Sequence, residues 1–212
     1  MKLTPEQQAV LDGSKGAVMA KVMKTLVMYG DAFGAEKMVP VTSTYGHTVI
    51  SFGINAMKPV YDLYDQLIEA GAFSEQKFTA DPLPLDKNVP SNPLQDLVFH
   101  QFMYKQQARY EAQLRKLGIL SDKDYTCTCY LDEVGNKPKQ GEVLSWAESS
   151  AVVYANSVLG ARCNRNSGMI ELMGSIGRLD RRGAHDEKAR AAAARLCHRH
   201  EGHGKSAVYQ GA

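Results

Sequence analysis

The sequence predicts an α/β fold, and three observations carry that reading. A β-branched run at residues 38–43, an amphipathic stretch at 54–72 and a short strand-like run at 78–80 follow the strand–helix–strand order of a βαβ unit. Periodic apolar segments with glycine stops recur along much of the rest of the chain. Of the 212 residues, 44% are hydrophobic, enough to bury a core in one domain or a small pair.

Composition excludes several function classes. The chain has no run of ~18 apolar residues, and its N-terminus lacks the apolar core of a secretory signal, so a cytoplasmic protein without a membrane span is expected. Four cysteines are too few for a disulfide framework, and Cys127 and Cys129 are too close in sequence to close a stabilising loop. Reduced thiols or metal ligands fit better. A net charge of +2 offers no concentrated basic face for nucleic acid. The charge is uneven: residues 178–212 hold eight Lys/Arg against four Asp/Glu, a net of +4, which leaves −2 for residues 1–177. The 178–212 segment also carries four of the six histidines and an alanine run. It reads as a separate tail.

Taken in order, Thr4-Pro5-Glu6-Gln7 combines an N-cap threonine, a proline at the first helical position and a glutamine at the third, which predicts a capped helix. A second helix follows from Ala17, Met19, Ala20, Val22, Met23, Leu26, Val27 and Tyr29, ending near Gly30 and Gly34, with its methionines as packing residues. The strand at 38–43 leads into a loop, Thr44-Tyr45-Gly46-His47-Thr48. There a glycine beside hydroxyls and an imidazole allows backbone and side chains to approach an anionic ligand; an ordinary turn with a surface histidine is the alternative. After the helix at 54–72 and the strand at 78–80, Asp81-Pro82 begins a proline-rich segment that ends the element. Ligands of such sheets gather at the carboxyl ends of strands, which places Gly46, His47, Thr48, Asp81 and Pro82 together. Residues 94–117 predict one long helix whose His100, Tyr104, Arg109 and Arg115 form a solvated face.

The stretch from Tyr125 to Arg165 is the densest in chemistry. Residues 125–131 are strand-like, and period-two alternation would put Cys127 and Cys129 on one face, within reach of one metal or as two buried free thiols. Residues 146–157 predict a helix whose first turn holds Glu148, Ser149 and Ser150, residues that suit capping or a substrate equally. Arg162 and Arg165 supply guanidiniums for carboxylate or phosphate.

The run CTCYLDEVGNKPKQGEVLSWAESSAVVYANSVLGARCNRNSG, residues 127–168, resembles the signature of the aconitase X family, and the likeness covers roughly residues 1–177. The resemblance implies the N-terminal portion of an aconitase-like layered catalytic domain. It also implies a hydro-lyase that removes water from a small hydroxy acid, of the phosphorylated mevalonate or 3-hydroxyproline type, at an iron–sulfur cluster. Cys127 then matches the first cluster cysteine, and Glu148 and Ser149 match a catalytic, substrate-contacting pair. The Gly46-His47-Thr48 loop and Asp81-Pro82 match substrate-binding segments. Asp81 replaces an asparagine of the family, and a second anion there would repel a phosphate. Cys129 and Cys163 stand where many members have proline and threonine, and inherit no ligand role.

Members of the family continue with a second large segment that supplies two further cluster cysteines, and they work with a small swivelling domain, fused or as a separate subunit. Residues 178–212 do not align with that segment and read as an out-of-frame or truncated end. Two other readings follow: an inactive fragment or pseudoenzyme that keeps ligand or subunit binding, and a small metal or redox module built on Cys127, Cys129 and the histidines of the tail.

Overall fold

The first helix starts as its residues demand. Thr4 Oγ1 accepts from the Gln7 N–H while the Gln7 side chain accepts from the Thr4 N–H, opening α1 (Pro5–Leu11). α2 (Ala17–Ala32) buries Val22, Met23 and Leu26 on one face. The computed structural model describes residues 1–50, 53–86 and 88–182.

The predicted βαβ unit is present, but its first strand is the segment expected to be a loop. β1 (Lys37–Pro40) pairs antiparallel with β6 (Leu179–Arg182) and lies outside the unit. β2 (Tyr45–Thr48) leads through Asn55–Met57 and α3 (Lys58–Glu69) to β3 (Lys77–Ala80), and the two strands run parallel, His47 opposite Thr79 and Thr48 opposite Ala80. Polar residues hid this strand because burial here is paired: the helix α7 (Gly168–Gly177) covers it, and Thr48 Oγ1 donates to the Gly168 carbonyl at 2.8 Å. Glycine suits position 46, where a Cβ would run into Ser175 Oγ and crowd the Ser145 carbonyl.

Two further segments extend the parallel arrangement. On one side β4 (Val143–Leu144) pairs with β5 (Arg162–Cys163), and the chain just beyond β4 runs beside β2. There His47 N–H donates to the Ser145 carbonyl and Ala147 N–H to the His47 carbonyl. On the other side Tyr125 bridges Ala80, again parallel. His47 therefore sits on a central strand, with parallel neighbours on both sides.

The main core gathers Tyr61, Tyr64 and Leu67 of α3, Leu172 and Ile176 of α7, and Tyr110, Leu114 and Leu117 of α5 (Gln107–Leu117), which packs on α3. A smaller cluster holds Leu144, Trp146, Cys129, Cys163 and the small residues Ala151 and Ala155 of α6 (Ser149–Ser157).

Three local expectations are corrected. The single helix over 94–117 is broken: α4 (Pro93–Gln95) and a π-helical stretch, Asp96–Met103, precede α5, and the chain turns at 104–106, where Gln106 N–H donates to the Gly53 carbonyl. Arg109 on α5 is committed to Asp62 and Asp65 of α3, and Arg115 to Glu111 and Asp122, so neither is a plain solvated cation. Residues 125–131 are a turn rather than a strand beyond the Tyr125 bridge, because the Thr126 hydroxyl takes the Thr128 N–H at 3.2 Å and competes with ladder pairing. Of the 178–212 segment, residues 178–182 are described and reach β6; residues 183–212, with Cys197 and the tail histidines, lie outside the described residues.

Candidate active site

The carboxyl ends of the parallel segments collect the predicted residues. Asp81 follows β3, Cys127 follows the Tyr125 bridge by two residues, Glu148 and Ser149 follow Trp146, and Thr48 ends β2. This is where a parallel sheet leaves its unpaired strand ends and helix starts, and where ligands bind.

His47 is the centre of the arrangement. Its side chain is fully buried, edge-on to Trp146 with ring centroids 6.2 Å apart. Nδ1 lies 2.9 Å from Thr79 Oγ1, and Nε2 lies 3.4 Å from Asp81 Oδ1. That second separation is too long for a good hydrogen bond. Both Nε2 and Asp81 Oδ1 are shielded from solvent and lack a hydrogen-bond partner among the described residues. A buried donor and acceptor left unmatched side by side are costly unless a third group completes them.

Sequence reasoning missed two residues of this site. Thr79 faces His47 across the parallel ladder, a consequence of the βαβ register that correct strand bounds would have revealed. Asn136 is buried and donates through Nδ2 to the Gly46 carbonyl and to Thr79 Oγ1, both at 2.9 Å. Its place in the irregular Gly135–Pro138 segment carries no signal by itself.

The other predicted residues fall around this centre with distinct states. Glu148 is the N-cap of α6: its carboxylate accepts from the Ser150 and Ala151 N–H groups and from the Ser150 hydroxyl. Partial burial raises its pKa, but those hydrogen bonds, with a smaller contribution from His47, outweigh it and hold the carboxyl below its ordinary range. Ser149 is exposed at the first position of α6. Gly46 and Thr48 act through packing, and Pro82 is exposed beside Asp81.

The thiols diverge. Cys127 is exposed, whereas Cys129 is wholly buried and burial pushes its thiol up to about 12 against a weaker opposing hydrogen bond from Thr79. Cys163 is buried, its Sγ facing the carbonyls of Trp146 and Asn164. Among the described residues, no group of three or more His, Cys, Asp or Glu side chains is arranged to hold a metal ion.

Behind β2 lies a second polar cluster. Ser145 Oγ faces both the Glu171 carbonyl at 2.6 Å and its Oε2 at 2.7 Å, and Asn166 Nδ2 donates to Glu171 Oε1. Asn164 Nδ2 donates to Asp180 Oδ2 at 2.7 Å. Burial raises both carboxyls, Glu171 well above its ordinary value, with Asp180 adding to the rise, and Asp180 to about 6.

Comparison with known proteins bears on this geometry. The family described as "Aconitase X first domain" matches residues 1–188. The phosphomevalonate dehydratase large subunit of Methanocaldococcus jannaschii is 34% identical over 180 residues, covering 83% of this chain and 41% of that protein. The cis-3-hydroxy-L-proline dehydratase of Pseudomonas aeruginosa is 39% identical over 200 residues, covering 90% of this chain and 31% of that protein. The crystal structure of Thermococcus kodakaraensis aconitase X in its holo-form superposes with a TM-score of 0.67 at 30% identity, over 85% of this chain and 42% of that one. The chain thus spans less than half the length of these relatives, and its mixed helix-and-sheet fold corresponds to the N-terminal portion of their catalytic domain. By sequence over most of its length and by fold, this chain belongs to the aconitase X family.

Proposed function

We propose that this chain contributes one half of the active site of a hydro-lyase that removes water from a small hydroxy acid, as the names of its dehydratase relatives suggest. The observation that carries the reading is the unmatched pair His47 Nε2 and Asp81 Oδ1, buried 3.4 Å apart where parallel strands end. A substrate hydroxyl, at once donor and acceptor, satisfies both atoms. A phosphate group, which only accepts at neutral pH, would meet the Asp81 carboxylate unfavourably.

The remaining residues divide the work. The ionised Glu148 carboxylate suits a substrate hydrogen-bond donor, and Ser149, at the positive end of α6, is placed to lie against the substrate with its hydroxyl polarised. Gly46 and Thr48 keep β2 tight against α7, and Pro82 stands exposed beside Asp81.

An iron–sulfur cluster, which the family resemblance implies, does not fit the described residues alone. They offer one exposed thiol, Cys127, while Cys129 and Cys163 are buried among apolar neighbours. The same divergence of thiols argues against a metal module built on Cys127 and Cys129. Anaerobic reconstitution of the isolated chain is expected to leave well under one cluster per polypeptide, read by iron and sulfide content; near-stoichiometric cluster would overturn this.

The test of function pairs the chain with the part of its relatives that it does not cover. Co-expression of this chain with the remaining portion of the Methanocaldococcus jannaschii large subunit and a small-subunit partner should yield dehydration of a small hydroxy acid, with cis-3-hydroxy-L-proline and phosphomevalonate as probes. His47→Ala and Asp81→Ala should each lower kcat/KM by ~100-fold or more. Undiminished turnover in both variants would refute the assignment.

A further inference from the structure

The hydrogen bonds around Thr79 determine which nitrogen of His47 carries the proton. Asn136 Nδ2 touches the Gly46 carbonyl, which can only accept, so the amide orientation is set and its second N–H is directed at Thr79 Oγ1 at 2.9 Å. The Cys129 sulfur also lies within hydrogen-bond reach of this hydroxyl, but a protonated thiol is a weak acceptor and competes poorly for the Thr79 proton. The Thr79 oxygen already receives from Asn136, and its single proton has two nitrogen or oxygen acceptors within reach. One is His47 Nδ1 at 2.9 Å; the other is the Gly46 carbonyl at 3.3 Å, which Asn136 already serves. The shorter contact wins. Nδ1 accepts, and the ring proton falls on Nε2.

The far side of the ring agrees. Nε2 lies 3.4 Å from Asp81 Oδ1 in a site shielded from water. An Nε2 lone pair there would oppose a carboxylate oxygen, whereas an Nε2–H is attracted to it.

We propose that Thr79 and Asn136 are positioning residues that hold His47 as the Nε2-protonated tautomer, so that Nε2–H and Asp81 Oδ1 are presented together as a donor–acceptor pair for a ligand hydroxyl. The inference rests on the reading of His47 and Asp81 as substrate-binding, but the tautomer itself is measurable without turnover. Neither Thr79 nor Asn136 touches the ligand; both act through His47.

The experiment is long-range ¹H–¹⁵N correlation of imidazole nitrogens in the full ¹⁵N-labelled chain at neutral pH. The His47 signals are assigned by their loss in His47→Gln. The expected result is a pyrrole-type Nε2 and an imine-type Nδ1. Thr79→Val and Asn136→Ala should lower the tautomer ratio roughly ten-fold, the equilibrium worth of one buried hydrogen bond, and Thr79→Ser should keep it. A protonated Nδ1 in the unsubstituted chain overturns the proposal, as does an unchanged ratio in folded Thr79→Val and Asn136→Ala. Should either variant fail to fold, the unsubstituted chain and Thr79→Ser still decide. A correct tautomer without turnover in the co-expressed enzyme would refute the dehydratase assignment and leave this one standing.

Discussion

Ser145 has one hydroxyl proton and faces two acceptors, the Glu171 carbonyl and Glu171 Oε2. The contradiction disappears if Glu171 is itself protonated: Oε2–H donates to Ser145 Oγ, and Ser145 donates to the carbonyl. That agrees with the upward displacement of its pKa by burial and by Asp180. Glu171→Gln supplies the same donor without a titrating proton, so it should fold and raise Tm above neutral pH by about 2–4 °C, on the order of 1 kcal/mol for a chain of this size. The pH dependence has a definite sign. A carboxyl raised from ~3.9 when unfolded to about 6 at Asp180 binds more protons in the folded state. Its stabilisation is full below the unfolded value and is lost as pH rises through about 6, and Glu171 acts in the same direction. Thermal melts from pH 4 to 8 should therefore show Tm falling with pH, less steeply in Glu171→Gln. A flat profile in the unsubstituted chain would contradict the upward displacement of these two carboxyls.

At the scale of elements, the contact between β2 and α7 is the least forgiving. A Cβ on Gly168 would run into the Val49 carbonyl, and backbone cannot yield as a side-chain tip can. Gly168→Ala should cost about 3 kcal/mol or more, read by urea denaturation; a change under about 1 kcal/mol would show that the helix can shift. Sequence reasoning read helices better than strands for a physical reason. The capping box at Thr4 and Gln7 and the apolar period of α2 and α3 are local signals, and they appear where expected. β2 is buried through partners distant in sequence, Thr79, Asn136 and Ser145, so Gly46 and His47 looked like a loop. The turn at Thr126 likewise depends on one side-chain hydrogen bond that composition does not reveal.

At the scale of the molecule, the candidate site was legible in identity more than in state. His47, Asp81, Glu148 and Ser149 were marked by residue type and family likeness, and all lie where parallel segments end. What could not be read was commitment: Glu148 caps a helix, Thr48 binds a carbonyl, and the second thiol of the CxC motif is buried. Those facts depend on which neighbours the fold delivers. The strand ends in question come from positions near 48, 81, 126 and 147, each separated from its lateral neighbour by a loop or crossover of some length. No short stretch of chain can therefore hold even two of them alone. Closing those loops precedes any reward from parallel pairing, so this half-site should form late and slowly in folding, and vanish as a unit when any one of its strands is lost.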